Sequence, residues 1–410
     1  MAAERPDVHG KVAIIGAGQA GATLAATLRT SGWQGQIDLL DTEGGDLYQR
    51  PPLSKDYLSG AVDEDGLITR TRAALERDGI AYRPGVTVTA IDRLARRLEL
   101  NDGSSVSYDI AVIATGSRAR TLALEGSDLA RVHALRTRAD AEALRASLRG
   151  AHDVVVLGGG FLGLEIASSA AKSTRVVVIE RAAELLQRSL SAPMARELAA
   201  RHAAEGTKIL VDTGVRRLVG RGGRVSGAEL EDGTIVPADL VIVSVGAQPN
   251  SEVAADAGLD VANGILVDSS LHTSDPAIFA IGDCVNFPHP HVLGQIRLES
   301  VQNAVDQARH LANILTGTAE TGYAAVPWFW SHQADQNLQI VGIAAPDDDA
   351  VIEEHHDGRL VIARTRDGQV TAVETLNAPR VHRQARALLA QGRVPVREWE
   401  GVLSRSGDRR

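Results

Sequence analysis

Cys284 is the only cysteine among the 410 residues. One thiol cannot close an intramolecular disulfide, so a disulfide framework and an internal redox disulfide are both excluded, and cytoplasmic residence is the expectation. No apolar stretch has the length of a membrane-crossing helix. The opening Met1-Ala2-Ala3-Glu4-Arg5-Pro6-Asp7 holds no apolar run of the signal-peptide kind, so no membrane partner is expected. Lysine is scarce too: Lys11, Lys55, Lys172 and Lys208 are the only ones among 43 basic residues, which makes a lysine inside a motif conspicuous. A net charge of −9 disfavours nonspecific nucleic-acid binding, so no nucleic-acid partner is expected. Low-complexity segments are absent, and no metal site is expected.

What is present is a duplicated turn. Gly16-x-Gly18-x-x-Gly21 follows the β-run Val12-Ala13-Ile14-Ile15, and Gly158-Gly159-Gly160-x-x-Gly163 follows Val154-Val155-Val156-Leu157. Each opens an alanine-rich helical stretch. One such motif is a weak signal, but strand, turn and helix in order, twice, is a strong one. The glycines permit a tight turn and let backbone amides approach a pyrophosphate lying at a helix N-terminus. Two pyrophosphate sites mean two dinucleotides, and two dinucleotides in one chain suggest electrons passing between them.

The length is too great for one core and suggests two or three domains. After the first turn, residues 22–29 read as a helix and residues 36–41 as the second strand. That strand ends in Asp41-Thr42-Glu43, about 20 residues beyond Gly21, where an acidic side chain normally accepts from an adenosine ribose. Spacing alone does not choose among the three. The chain leaves the first unit at Ala114-Thr115-Gly116. The second unit's own second strand, 175–179, ends at Glu180, and a similar exit closes that unit at Gly246. A further β-run then delivers Asp283 at its carboxyl end. The second dinucleotide unit is therefore inserted between two segments of the first. From about residue 324 the character changes to short strands, including 339–343, 360–365 and 370–376. A helix near 381–391 precedes the tail, and the locally basic stretch from Arg380 to Arg410 reads as a solvated helix face and a frayed tail.

Arg50-Pro51-Pro52-Leu53-Ser54-Lys55, the run ending in Gly282-Asp283, Glu299-Ser300-Val301-Gln302-Asn303-Ala304 and Trp328-Phe329-Trp330-Ser331 occur in that order. With the two turns, they make the chain resemble the glutathione-reductase-like, two-dinucleotide flavoprotein reductases. Within these it is similar to the FAD-dependent NADH:ferredoxin reductases of oxygenase systems, of the putidaredoxin reductase and biphenyl dioxygenase reductase type. The resemblance runs from about Lys11 to Leu389. It implies an α/β fold with two Rossmann-like dinucleotide-binding domains and a C-terminal α+β domain. FAD would be bound by residues 1–117 and 247–324, NADH by 118–246, with 325–410 as the third domain.

The same resemblance implies roles. Gly16, Gly18, Ala20 and Gly21 would face the FAD pyrophosphate, with Asp41, Thr42 and Glu43 near the ribose, and Val88 against the adenine. Arg50, Lys55, Ala114, Thr115, Gly116 and Arg136 would contact the cofactor, and Asp283 the ribityl chain. Gly158, Gly160, Phe161, Leu162, Gly163, Glu180 and Gly246 would serve the NAD nucleotide. Lys55 and Glu165 would pair beside flavin N5, the lysine favouring electron-rich reduced flavin and the glutamate holding it while contacting the nicotinamide amide. Ser300 would cap a helix over 301–315, whose N-terminus at Val301 would stabilise anionic reduced flavin. Trp330 would pack near the isoalloxazine. Two departures stand out: His332 where relatives carry aspartate after Trp-Ser, and Asp41-Thr42 where they carry glycine then aspartate.

A disulfide reductase needs paired cysteines near the flavin, and a flavin NADH oxidase or coenzyme A disulfide reductase needs one soon after the second strand; the chain has neither. Electrons should therefore leave singly, to a carrier or small acceptor; the resemblance implies a 2Fe-2S ferredoxin that docks transiently by charge on a monomer. Rubredoxin or monodehydroascorbate-type reductases share the scaffold, and a flavin-bearing redox sensor is a further alternative. Arg297 and Arg309 are the candidate docking residues, with Arg380, Arg383 and Arg386 behind them.

Overall fold

The computed structural model describes residues 8–292, 294–318, 322–356 and 358–405. The opening Met1–Asp7 and the basic end of the chain, Arg409 and Arg410 included, lie outside the described residues. Two compact units divide the chain. The first comprises Met1–Gln49, Ile68–Arg118 and Gln248–Pro327; the second comprises Arg50–Leu67, Ala119–Ala247 and Trp328–Arg410.

The first unit is built on a parallel sheet. Its strand order is Ile278–Ala280, Ile110–Ile113, Val12–Ile15, Ile37–Asp41, Ile80–Pro84. Val12, Ala13 and Ile14 are fully buried, as expected of a central parallel strand covered on both faces and therefore apolar throughout. The helices Gln19–Thr30 and Val301–Leu315 pack against each other. Because the chain passes from Val12–Ile15 to neighbours on opposite sides, a crevice opens at the carboxyl edge of the sheet. The turn at Gly16, the end of Ile37–Asp41 and the exit at Ala114 all lie at that edge. A three-stranded antiparallel sheet (Val88–Asp92, Arg97–Leu100, Ser105–Ser107) completes the insert between the second and third of these landmarks.

The second unit repeats the plan. Its parallel sheet has the order Val132–His133, Leu240–Val243, Asp153–Leu157, Arg175–Ile179, Lys208–Leu210. It also contains an antiparallel sheet of Trp328–Gln333, Gln336–Gly342, Gln369–Leu376, Arg359–Arg366 and Asp349–His356, in that order. A buried carboxylate ties this sheet to the loop ahead of the helix Ala192–Ala204. Glu374 accepts from the Ser191 amide at 2.9 Å and the Ser191 hydroxyl at 2.6 Å, and pairs with Arg364 at 3.2 Å. Burial pushes the Glu374 carboxyl up, and the Ser191 and Arg364 donors pull it back.

Within the basic stretch from Arg380, expected to be a solvated helix face and a frayed tail, Val396–Arg405 forms a further helix, and the chain beyond it lies outside the described residues. Trp399, only 1% exposed, anchors this helix: a buried indole contributes a large apolar area.

His382, on the helix Pro379–Leu389, is also 1% exposed and has no hydrogen-bond partner on either nitrogen. Its ring lies 5.6 Å from that of Trp328. Burial first, then the charges of Arg386 and Arg383, push its pKa from the ordinary 6.5 down to about 4. Between those two values the unfolded chain binds a proton that the folded chain refuses. Stability contributed by the neutral ring is therefore complete above the unfolded value and is lost as pH falls toward the folded one. Going from pH 7 to pH 5 should cost on the order of 2 kcal/mol at this site. Thermal unfolding of His382→Leu should show a correspondingly flatter acid limb than wild type; parallel limbs would exclude His382 as the cause.

Candidate functional site

In the first unit the glycine turn is shaped by contact with the chain itself at one position and by open space at the next. Gly16 has φ +106°, and a Cβ there would lie 2.4 Å from the Ala114 carbonyl oxygen. Gly18, the N-cap of Gln19–Thr30, would place a Cβ with nothing within 4 Å, and no side chain caps the helix. Gly21 closes the motif against the Gly16 carbonyl oxygen, 1.9 Å from where its Cβ would be. Ala20 is buried. The result is an open, uncapped helix N-terminus reached only past glycine, which fits a pyrophosphate.

Around it, Asp41 lies 3.4 Å from the Tyr82 hydroxyl, which donates to it, and Glu43 accepts from the Tyr48 hydroxyl at 2.5 Å. Thr42 between them is exposed. Val88 is buried in the core of this unit and pairs with Leu100. Thr115 donates to the Asn250 carbonyl at 2.6 Å and Gly116 turns with φ +64°, so the exit is held closed by Asn250. Asp283 follows the glycine of a short 3-10 turn and accepts from Ser117 at 3.1 Å. Ser300 caps Val301–Leu315, its oxygen accepting from the Asn303 amide at 3.1 Å. Cys284 is fully buried with its thiol directed to the Ile281 carbonyl at 3.3 Å, and burial pushes that thiol up. A lone, buried thiol of this kind leaves no route to disulfide chemistry.

The second unit repeats the turn. At Gly158, with φ +104°, a Cβ would meet the Ser244 carbonyl oxygen at 2.3 Å; Gly163 meets the Gly158 oxygen at 2.2 Å; Gly160 again faces open space and caps Phe161–Ala171 without a side-chain bond. Phe161 opens that helix with its ring 4.4 Å from Phe329, and Leu162 is half-buried beside it. Glu180 is held at the turn, accepting from the amides of Gly159 and Ala182, each at 2.7 Å. Gly246 has φ +104° at the unit's exit.

The segment Arg50–Leu67 brings two further candidates into this unit. Arg50 donates to the Arg136 carbonyl at 2.7 Å. Lys55 lies 2.7 Å from Glu165, with the lysine side chain 18% and the glutamate 7% exposed. Glu165 also accepts from the Ser54 hydroxyl at 2.6 Å and the Ser331 hydroxyl at 2.6 Å. The carboxylate thus has three donors on two oxygens, which offsets its desolvation. Sequence reasoning assigned no role to Ser54 or Ser331, although both stand inside the motifs it singled out. Trp330 is half-buried with its ring 5.5 Å from Trp328, and His332 is exposed.

Of the candidate docking residues, Arg297 is paired with Glu299, whereas Arg309 is exposed on its helix. Arg386 stacks 3.8 Å over Trp328; Arg380 and Arg383 are exposed. Among the described residues no helix is long and apolar enough to cross a membrane, and no group of three or more His, Cys, Asp or Glu could hold a metal ion.

Two family models match: pyridine nucleotide-disulphide oxidoreductase over residues 10–308 and reductase C-terminal over residues 328–398. The chain is 43% identical to rhodocoxin reductase of Rhodococcus erythropolis, spanning 92% of this chain and 89% of that protein. It is 36% identical to putidaredoxin reductase of Pseudomonas putida over 95% and 94% of the two chains. The crystal structure of the ferredoxin reductase for the CYP199A2 system from Rhodopseudomonas palustris superposes with a TM-score of 0.91 at 39% identity, covering 93% of this chain and 94% of that one. Two glycine turns facing open space, a buried Lys55–Glu165 pair and near full-length similarity converge: the chain belongs to the pyridine nucleotide-disulphide oxidoreductase family.

Proposed function

We propose that this protein is an FAD-dependent ferredoxin reductase that takes hydride from NADH and passes single electrons to a 2Fe-2S ferredoxin serving an oxygenase. FAD, when bound, converts a two-electron donor into a source of single electrons. Residues 1–117 and 247–324 hold FAD, residues 118–246 hold NADH, and 325–410 form the C-terminal α+β domain. The protein works as a monomer, in the cytoplasm.

The observation that carries this reading is the Lys55–Glu165 pair, with the glutamate on the helix that opens at the second glycine turn. A cation next to the flavin favours its electron-rich reduced form, and a buried carboxylate fixes where that cation sits. Lys55 also donates to the Pro51 carbonyl at 3.1 Å, so its ammonium is held from two sides. One of Asp41, Thr42 and Glu43 binds the adenosine ribose, and Asp283 the ribityl chain. Arg50, Val88, Arg136, Ser300 and Trp330 complete the flavin contacts.

Nucleotide choice falls to Glu180. Its carboxylate is held at the turn by two backbone amides and retains lone pairs for ribose hydroxyls, while its charge repels a 2′-phosphate. Arg181, exposed beside it, favours the phosphate. The expected result is a kcat/KM for NADH at least about tenfold above that for NADPH. Comparable values would mean that Arg181 takes the phosphate.

Partner docking follows from charge. With −9 overall, the protein needs a local positive patch to receive an acidic ferredoxin. Salt above physiological strength should slow ferredoxin reduction several-fold and leave a small neutral acceptor nearly unaffected. Arg309→Glu should reproduce the salt effect; unchanged ferredoxin kinetics would remove Arg309 from the docking surface.

A further inference from the structure

A chain of hydrogen bonds runs from Glu165 into the interior of the second unit. Ser331 donates to Glu165 Oε1 at 2.6 Å, Gln333 Nε2 donates to Ser331 Oγ at 3.2 Å, and His202 Nε2 lies 2.8 Å from Gln333 Oε1. All four side chains are buried, Ser331 completely. His202 comes from the helix Ala192–Ala204, outside every motif that the sequence singled out.

The direction of each bond follows from the first. An ionised carboxylate only accepts, so the Ser331 proton points to Glu165 and the Ser331 oxygen accepts from Gln333. Gln333 then turns its NH2 to Ser331 and its carbonyl oxygen to His202. That oxygen cannot donate, so Nε2 is the protonated nitrogen of the His202 ring. Nδ1 is left buried without a hydrogen-bond partner. Leaving a buried acceptor unpaired is unfavourable, and a group retained in that condition calls for an explanation.

A glutamine amide does not shuttle protons as a carboxylate or water does, so the chain is a brace and not a proton path. Its mechanical effect is specific. Glu165 Oε2 holds both Ser54 and Lys55, whereas Oε1 is held by Ser331. The terminal torsion of a glutamate is soft, so removing the Oε1 donor lets the carboxylate turn and carry the Lys55 ammonium with it. We propose that His202, acting through Gln333 and Ser331, is a positioning residue that fixes the Glu165 carboxylate, and through it Lys55, for hydride transfer from NADH. This rests on the reading of Lys55 and Glu165 given under the proposed function.

The test uses the FAD-loaded protein and four variants: His202→Leu, His202→Gln, Ser331→Ala and the double variant H202L/S331A. Anaerobic stopped-flow reduction at saturating NADH should be slowed at least about threefold in H202L and in S331A. The double variant should be no slower than the slower single one, because both remove the same brace. H202Q should restore most of the loss, since its amide nitrogen can donate where Nε2 does. The midpoint potential of the bound flavin, a readout independent of turnover, should move to more negative values in H202L and S331A and not in H202Q. Multiplicative slowing in the double variant, an H202Q as impaired as H202L, or an unmoved potential in H202L overturns the brace. Lys55→Met in the same series separates the two claims. A slowed K55M with unaffected H202L leaves the Lys55–Glu165 reading standing and removes the brace. An unaffected K55M removes that reading and, with it, the role of His202 in hydride transfer.

Discussion

Gly18→Ala is expected to leave the protein folded and to strip it of FAD. Gly18 sits at φ −66° and ψ −168°, a conformation alanine adopts freely, and an added Cβ would touch no protein atom within 4 Å. The only space that the methyl group takes is that in which a pyrophosphate would approach the helix N-terminus. Retention of FAD should fall by tenfold or more, a loss of about 1.4 kcal/mol at least, while the far-ultraviolet spectrum is unchanged. Gly160→Ala, at φ −80° and ψ 178° with the same open surroundings, should keep its FAD and raise KM for NADH by a similar factor. Gly16→Ala is the contrasting case. There the added Cβ lies 2.4 Å from a backbone oxygen at φ +106°, so the fold itself should suffer. A G18A protein that purifies with its full complement of flavin would show that the dinucleotide is held elsewhere.

Lys55→Met should slow flavin reduction by NADH about tenfold or more with FAD still bound. Methionine keeps the side-chain volume and removes the charge, and each 1.4 kcal/mol lost from the transition state is tenfold in rate. It also leaves Glu165, 7% exposed, with only Ser54 and Ser331 as donors. A buried carboxylate stripped of its cation is destabilising, so a lowered melting temperature should accompany the slower reduction. Glu165→Gln distinguishes the contributions: it removes the charge pairing but keeps the ammonium and an amide oxygen that can still accept from it, and should be the milder of the two on flavin reduction. Stopped-flow rates for K55M within a factor of about two of wild type would take Lys55 out of the mechanism.

Those elements whose signals are local could be read from the chain. The apolar run at 12–15, the Gly16 and Gly158 turns and the Ser300 cap with its helix over 301–315 need only propensity, periodicity and capping chemistry. The structure has the helix as Val301–Leu315 and the Ser300–Asn303 cap in place. What stayed illegible depends on residues far apart in sequence. Ser54 and Ser331 meet on Glu165 only because three separate segments fold together, and no spacing rule connects 54, 165 and 331. His202 carries no motif at all; its part emerges only from tracing donors and acceptors back from the carboxylate. The helix Val396–Arg405 was missed because its charge content resembles a solvated tail, and its one buried aromatic is a weak periodic signal. Among Asp41, Thr42 and Glu43, tyrosine hydroxyls on either side of an exposed threonine are a tertiary detail that spacing cannot supply.

One measurement addresses the central claim directly: anaerobic titration of the FAD-loaded protein with NADH in the presence of excess 2Fe-2S ferredoxin, followed by the ferredoxin's visible absorbance. Each NADH should reduce two ferredoxins, because a two-electron donor is being divided into single electrons with no thiol to store them, and the flavin should return to its oxidised spectrum as long as ferredoxin remains. A flavin that bleaches with NADH and stays reduced beside oxidised ferredoxin would contradict the account.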